Sequence, residues 1–226
     1  MSIRSALLDG FGASALADIA GQETAAATEA GRQAAFTVAL VVLGAQLARA
    51  DGTTSRSEVE TFKRVFRIAP DDMDTVGLLF DQVRRDTVGF RPYAGQAARL
   101  FAGRPEVLEG LLDGLFAMAY ADGHLDDAEF AYLREVAAIL GIDDDACARI
   151  HARHRPLRDA YAVLGVPADA SEMAIGVAHR RLSQDSNPER LTALGMPREF
   201  LPVARDKAAT IDSAYDQVCR DRGIGR

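Results

Sequence analysis

The 226-residue chain contains no tryptophan, only two cysteines, and few aromatic residues of any kind, which make up 7% of the total. Cys147 and Cys219 form no Cys-x-x-Cys pair and sit in otherwise apolar helical patterns. We therefore expect buried thiols in a reducing compartment rather than a disulfide or a metal pair. This cysteine usage predicts a cytoplasmic location.

Long hydrophobic runs are also missing. The most apolar stretch, residues 34–48, contains Thr37 and Gln46 and is bounded by Arg32 and Arg49. It is about a third shorter than the roughly 20 residues that span a bilayer, so it predicts a buried helix and no membrane span. No basic region precedes a long apolar core near the start of the sequence, so no signal peptide is predicted.

A clustered excess of basic residues is absent as well. The net charge is −7, and residues 156–226 hold ten Lys and Arg against ten Asp and Glu, so the acidity falls entirely on residues 1–155. Nucleic-acid binding requires clustered Lys and Arg that displace counterions from phosphates. The charge distribution therefore argues against a nucleic-acid partner.

The usual signatures of enzymes are missing too. The sequence has no Gly-rich phosphate loop, no Gly-x-Ser-x-Gly elbow and no Cys-His constellation, so we predict that the protein is not an enzyme. His151 and His154 lie three residues apart at a predicted helix end, where cationic residues favour the helix dipole. A metal pair there is the alternative. Asp143 to Asp145 are more simply the start of the helix.

What the sequence does contain is an internal repeat. The segment 48–58 and the segment 119–129 share Ala-Asp-Gly, then a capping residue, then Glu. Apolar residues at helical spacing precede and follow each copy, so each copy is predicted to join two helices of a hairpin. Two such hairpins would pack into a compact helical bundle.

Two interpretations of the repeated turn remain open. Gly52 and Gly123 can end a helix in the left-handed conformation, and Ser55 or Asp126 followed three residues later by Glu has the spacing of a capping box. Alternatively, four carboxylates brought together by the repeat form an oxygen-ligand site for a divalent cation such as calcium or magnesium. The candidate ligands are Asp51, Glu58, Asp122 and Glu129.

The C-terminal part predicts two antiparallel helices joined by a turn. Ser171 can cap the first helix, and Asp185-Ser186-Asn187-Pro188 breaks it because the residue before proline is pushed out of the α region. Gly223 ends the second helix. An apolar stripe on the first helix is predicted to be core: Met173, Ile175, Val177, Ala178 and Leu182.

This C-terminal order of residues resembles a J-domain. Tyr161-Ala-Val-Leu164-Gly165-Val166 matches the opening of that family, and Ala214-Tyr215 matches its last helix. Asn187-Pro188-Glu189 stands where the family has the His-Pro-Asp loop that stimulates ATP hydrolysis by a DnaK-type chaperone. The resemblance implies docking through His179, Arg180, Arg181 and this altered loop, with weakened stimulation.

The repeated turn resembles the TerB-like domain, which is named from tellurite resistance. The order of TerB-like domain and then J-domain resembles the DjlA-type DnaJ-like proteins, although residues 1–30 do not supply the membrane anchor of that family. The resemblance implies an all-α protein with an N-terminal extension over residues 1–31, a TerB-like bundle over 32–155 and a J-domain-like domain over 156–226. It implies a co-chaperone or stress-response adaptor with a DnaK-type chaperone and client proteins as partners. The alternative is a metal-responsive module of a tellurite or envelope stress response, without co-chaperone activity.

Overall fold

A computed structural model describes residues 29–47, 89–121, 123–155, 158–197 and 200–224. All regular structure within these ranges is helical, which confirms the predicted all-α class. In chain order the helices are α1 (Glu29–Leu47), α2 (Arg91–Leu100), α3 (Pro105–Ala119), α4 (Asp127–Leu140), α5 (Asp144–His154), α6 (Ala160–Leu164), α7 (Glu172–Asp185), α8 (Pro188–Ala193) and α9 (Leu201–Arg222).

Helices α1 to α5 pack around one hydrophobic core. Phe36 on α1 meets Phe101 and Phe200 edge to face, with ring centroids 5.9 Å and 4.7 Å away. The hydroxyl of buried Tyr132 donates to the backbone carbonyl of Leu43 at 2.8 Å, which fixes α4 against α1. Helix α1 is thus a buried core helix, as its composition predicts. No helix in the described ranges is long and apolar enough to cross a membrane.

The second copy of the repeated turn forms the capping box that its spacing predicts. The Asp126 side chain accepts from the Glu129 backbone amide at 2.7 Å, and Glu129 accepts in return from the Asp126 amide at 3.1 Å. Gly123 has φ +88°, a conformation that an L side chain rarely adopts. The first copy, residues 48–58, lies outside the described residues.

Helices α6, α7 and α9 surround a second hydrophobic core. Ser171 caps α7 through the Ala174 amide, and Gly223 ends α9 at φ +67°, as the sequence predicts. Arg222 at the end of α9 donates to the Ala170 carbonyl just before α7, so the two helices run antiparallel. The structure adds a short helix, α8, to the connection between them.

The predicted core stripe on α7 is wrong for two of its five residues. Ile175, Ala178 and Leu182 are buried, but Met173 and Val177 are exposed by 78% and 52%. At about 100° per residue, Met173 and Val177 fall on the opposite side of α7 from the three buried residues, and it is the buried side that packs against α9. Met173 and Val177 therefore remain on the outer side of the hairpin.

The connection between α7 and α9 packs against the first core rather than the second. Three of its residues lie in that core, Leu191, Met196 and Phe200, and Val203 and Ala204 at the start of α9 lie there too. Met196 lies directly over Gly110 of α3, where any side chain would collide with its terminal methyl. The predicted N-terminal and C-terminal regions therefore share a packed surface. The predicted domain boundary near Arg155 and Pro156 stays a prediction.

Both cysteines are unpaired and buried, as predicted from their spacing. Cys147 belongs to the first core, and burial is the main reason that the pKa of its thiol is raised. A raised pKa keeps the sulfur as an unreactive thiol near neutral pH. The predicted cytoplasmic location remains a prediction.

Candidate functional site

Helix α7 presents an exposed face in front of the Asn-Pro-Glu loop. Met173, Val177, Arg180 and Arg181 are all exposed and fall four, three and one residues apart along the helix. This spacing places them on one side of α7. We call these four residues the α7 outer face. It combines two apolar side chains with two guanidinium groups.

His179, a predicted docking residue, is engaged inside the hairpin. Its ring stacks on Tyr215 of α9, with centroids 4.1 Å apart and an interplanar angle of 11°. Its Nε2 lies 2.8 Å from Asp212 Oδ1, also on α9. The ring therefore holds α7 to α9 and lies between the two helices. Its predicted role in binding a chaperone remains a prediction.

The Asn-Pro-Glu loop is the start of a helix. Asn187 has an extended backbone, which the following proline favours, and its side chain accepts from the Arg190 amide at 2.9 Å. Pro188 occupies the first helical position, where its missing N–H is not needed. The carboxylate of exposed Glu189 lies in the first turn, where the helix dipole favours a negative charge.

Helix α8 fastens this loop to the front bundle. The Arg190 guanidinium pairs with Glu106 of α3, and Leu191 is buried in the first core. At its other end the loop is held by Ser186, which is fully buried and donates to the Leu182 carbonyl at 2.7 Å. The sequence did not predict this attachment. The apolar Leu191 three residues after Pro188 is the available signal, but it does not reveal which helix it contacts.

A buried charge cluster, also missed, joins α3, α5 and α9. Arg153 Nε and Nη2 both donate to Asp113 Oδ1, at 3.1 and 2.6 Å, and both side chains are 3% exposed. His154 Nε2 lies 3.4 Å from the same oxygen. Lys207 is equally buried, with its Nζ 3.9 Å from Glu109 Oε2. Charged residues in the sequence suggest a solvated surface, and only the packing shows that these are enclosed.

Electrostatics in the cluster keep Asp113 ionised. Burial alone would raise the pKa of Asp113, but the adjacent Arg153 and His154, with Lys207 further away, more than offset this and lower it strongly. The pKa of Lys207 is also lowered, by burial and by the Arg153 cation, and this disfavours the charged form of Lys207. The Asp113 carboxylate is therefore a negative charge that favours the buried cations of Arg153 and Lys207.

His151 makes stability sensitive to mildly acidic pH. Burial, with help from Arg155 and His154, lowers the pKa of the His151 ring, whose Nε2 lies 2.8 Å from the Tyr120 hydroxyl. The unfolded chain takes up this proton first, below the ordinary histidine pKa of about 6.5. The stabilisation is thus present above that pH and declines as the pH falls through it.

We accordingly expect a lower melting temperature near pH 5.5 than near pH 7.5, both approximate choices that bracket the titration. A His151→Gln variant, which cannot titrate, should show a smaller difference between the two conditions. Thermal unfolding followed by circular dichroism measures both proteins. The same pH dependence in the variant as in the parent protein would contradict the assignment.

Only one of the four predicted metal ligands lies among the described residues. Asp51, Glu58 and Asp122 lie outside the described residues. Glu129 is described, and one of its carboxylate oxygens is occupied by the capping box. Among the described residues no group of three or more His, Cys, Asp or Glu side chains is arranged to hold a metal ion. Calcium or magnesium binding, and with it the metal-responsive alternative, stays a prediction.

Known families agree with this architecture. The family model described as tellurite resistance protein TerB matches residues 37–152, which include α3, α4 and most of α5. No solved structure matches the chain. Fold and site together define an all-α protein in which a TerB-type bundle carries a C-terminal helical hairpin.

Similar proteins extend the match beyond the bundle. The co-chaperone protein DjlA of Shewanella oneidensis is 30% identical over 213 residues, 84% of this chain and 78% of that protein. DjlA of Aliivibrio fischeri is 27% identical over 89% of this chain and 84% of its own length. DjlA of Pasteurella multocida is 43% identical over 65 residues, 29% of this chain and 23% of that protein. The chain belongs to the DjlA family, whose members are named as co-chaperones and not as enzymes.

Proposed function

We propose that this protein is a DnaJ-like co-chaperone that docks on a DnaK-type ATPase through the α7 outer face. The observation that carries the proposal is the exposure of Met173 and Val177 beside Arg180 and Arg181. Neither arginine forms an ion pair with any described residue. Apolar contact area and accessible guanidinium groups are the combination that protein interfaces favour.

The two arginines make the proposed contact favour an acidic partner surface and depend on salt concentration. Arg180 and Arg181 attract an acidic surface during encounter, and this attraction is screened as ionic strength rises. Met173 and Val177 lose exposed apolar area on contact, which favours a complex independently of salt. The family comparison supports a co-chaperone, and the α7 outer face supports this helix as the docking element.

Stimulation of ATP hydrolysis by the protein is proposed to be weak. Asn187 cannot become cationic, and the Glu189 carboxylate stands on a stem one methylene longer than that of aspartate. The Asn187 side chain is also occupied in capping α8. Contacts that trigger a reaction depend on placement at the level of about 1 Å, so docking is expected to survive the altered loop better than stimulation.

The direct experiment is single-turnover ATP hydrolysis by the DnaK-type chaperone of the same organism, with and without this protein. We expect saturable binding of the two proteins and a small rate increase. Absence of binding between the two proteins, together with an unchanged rate of ATP hydrolysis, would refute the proposal. Strong stimulation by the unaltered protein would refute only the proposal that stimulation is weak.

Reversing the charges of the α7 outer face should weaken docking. We expect Arg180→Glu with Arg181→Glu to reduce affinity at low salt by roughly tenfold or more, since about 1.4 kcal/mol corresponds to tenfold. The matched control is Arg99→Glu with Arg134→Glu, which changes two exposed arginines of the front bundle. Surface plasmon resonance at two salt concentrations measures both. Equal losses in the two double variants would show a non-specific charge effect.

A further inference from the structure

A polar cleft lies where the front bundle meets α9. It encloses about 350 Å³ between α3, α5 and α9, a volume at the lower end of the range for small-molecule sites. The buried charge cluster forms part of its wall through Asp113, Arg153, His154 and Lys207. The cleft therefore has charged side chains that are fixed by burial rather than mobile on the surface.

Lys207 brings unused hydrogen-bond donors to this cleft. Its side chain is 3% exposed, and the nearest carboxylate oxygen, Glu109 Oε2, is 3.9 Å from Nζ, beyond hydrogen-bond distance. Within the described part of the chain its ammonium group makes no hydrogen bond. An ammonium group carries three hydrogen-bond donors. The cleft is the open space that this side chain lines.

Two further groups on the wall have donor capacity that the described residues do not use. His154 Nε2 is buried 3.4 Å from Asp113 Oδ1, without the geometry of a full hydrogen bond. Arg158 is exposed at the cleft and pairs with no carboxylate in the described ranges. Guanidinium, ammonium and imidazolium groups are the side chains that bind oxyanions through charge-assisted hydrogen bonds.

The acidic residues of the wall do not cancel these donors. The negative charge of Asp113 is already compensated by the Arg153 cation, which donates two hydrogen bonds to it. Asp206 is exposed and so is well solvated. Lys207 Nζ is 3.9 Å from Glu109 Oε2, too far for a hydrogen bond, and Arg158 forms no ion pair within the described ranges. The wall of the cleft thus carries three cationic side chains, Arg153, Arg158 and Lys207, against two carboxylates, Asp113 and Asp206.

We propose that this cleft binds a small phosphate-type oxyanion, either free phosphate or the phosphate group of a small monoester. Lys207 and His154 would bind it from the enclosed side, and Arg158 would close the exposed side. Since Lys207 lies on α9 and His154 on α5, the bound anion would join the C-terminal hairpin to the front bundle. This site is separate from the α7 outer face and independent of chaperone docking.

The charge state of Lys207 is consistent with an anion at this position. Burial and the Arg153 cation lower the pKa of Lys207 in the empty cleft. A bound dianion would favour the protonated ammonium and therefore move that pKa upward.

Calorimetric titration of the full chain with sodium phosphate, at constant ionic strength, tests the proposal. We expect saturable binding of one phosphate per chain and no comparable binding of chloride. Glycerol phosphate is the second arm, and tighter binding than inorganic phosphate would identify a monoester as the source. Loss of one charge-assisted contact by Arg158→Gln should weaken phosphate binding roughly tenfold.

A second variant tests the enclosed side. Lys207→Met keeps the length of the side chain and removes its charge, and it should also weaken phosphate binding by roughly tenfold or more. Arg181→Gln, an exposed arginine on α7, is the matched control and should bind phosphate like the parent protein. Because Arg158 is exposed, its variant remains informative even if Lys207→Met folds poorly by circular dichroism. Absence of saturable phosphate binding, or equal weakening by Arg158→Gln and Arg181→Gln, would overturn the proposal.

Discussion

Replacement of Asp113 by alanine should lower the free energy of unfolding by about 3–5 kcal/mol, because it leaves a buried cation without its partner. Arg153 is 3% exposed and directs two hydrogen bonds at a single Asp113 oxygen. Lys207 lies close enough for the Asp113 charge to act on its pKa. In a domain of this size the loss corresponds to a fall in melting temperature of roughly 10 °C.

Two further variants separate a buried-charge effect from simple loss of packing. Asp113→Leu with Arg153→Met replaces the pair by apolar side chains and should recover most of the stability, since such replacements are often neutral. Asp212→Ala, which removes an exposed carboxylate, should cost less than about 1 kcal/mol. Chemical denaturation of all three proteins gives the comparison. A cost below about 1 kcal/mol for Asp113→Ala would contradict the prediction.

The same carboxylate determines how the protein responds to acid. The pKa of Asp113 is strongly lowered on folding, because its cationic neighbours outweigh the effect of burial. Its contribution to stability is therefore complete above the ordinary aspartate pKa of about 3.9 and is lost as the pH falls below that value. This window lies below the one expected for His151, so the two contributions separate on a pH titration of stability.

Restoring the altered loop should produce the largest change in activity. We expect Asn187→His with Glu189→Asp to raise stimulation of the DnaK-type ATPase, by up to roughly 100-fold if placement at the level of about 1 Å is what the present loop lacks. The change supplies a group that can become cationic and shortens the carboxylate stem. Single-turnover ATP hydrolysis at saturating co-chaperone measures the rate without the contribution of binding.

The structure adds a cost to this restoration. The Asn187 side chain caps α8 through the Arg190 amide, and loss of such a cap costs about 1 kcal/mol. Asn187→Ala with Glu189→Asp removes the cap without supplying an imidazole and is therefore the matched control. Both double variants should lose similar stability, but only the histidine variant should gain stimulation. An unaltered protein that already stimulates as strongly as the histidine variant would show that the loop is functional as it stands.

Docking and stimulation are distinguished by the place of each group in the fold. The α7 outer face is exposed, so changes there should alter association and its salt dependence with little effect on folding. The loop is fastened to the bundle by the Arg190 pair with Glu106 and by buried Leu191. Changes in the loop therefore affect stability and activity together, and the stability controls above are needed to interpret them.

Local patterns in the sequence determined the helical class and much of the detail at helix ends. Ser171, Asp126 with Glu129, and Gly223 act where their spacing predicts, because caps and helix stops depend on residues within a few positions of each other. The resemblance to J-domains and TerB-like domains is likewise carried by short motifs. The family comparison confirmed the TerB-like bundle and membership of the DjlA family, and the resemblance to J-domains stays a prediction.

The tertiary structure alone decided which of these residues are enclosed and which face outward. At about 100° per residue Met173 and Val177 fall on one side of α7 and Ile175 on the other, and only packing against α9 decides which side is buried. Asp113, Arg153 and Lys207 are up to 94 positions apart in the sequence and form one buried cluster. Burial and charge pairing between distant residues depend on how helices meet, and the period of a single helix carries no information about its neighbours.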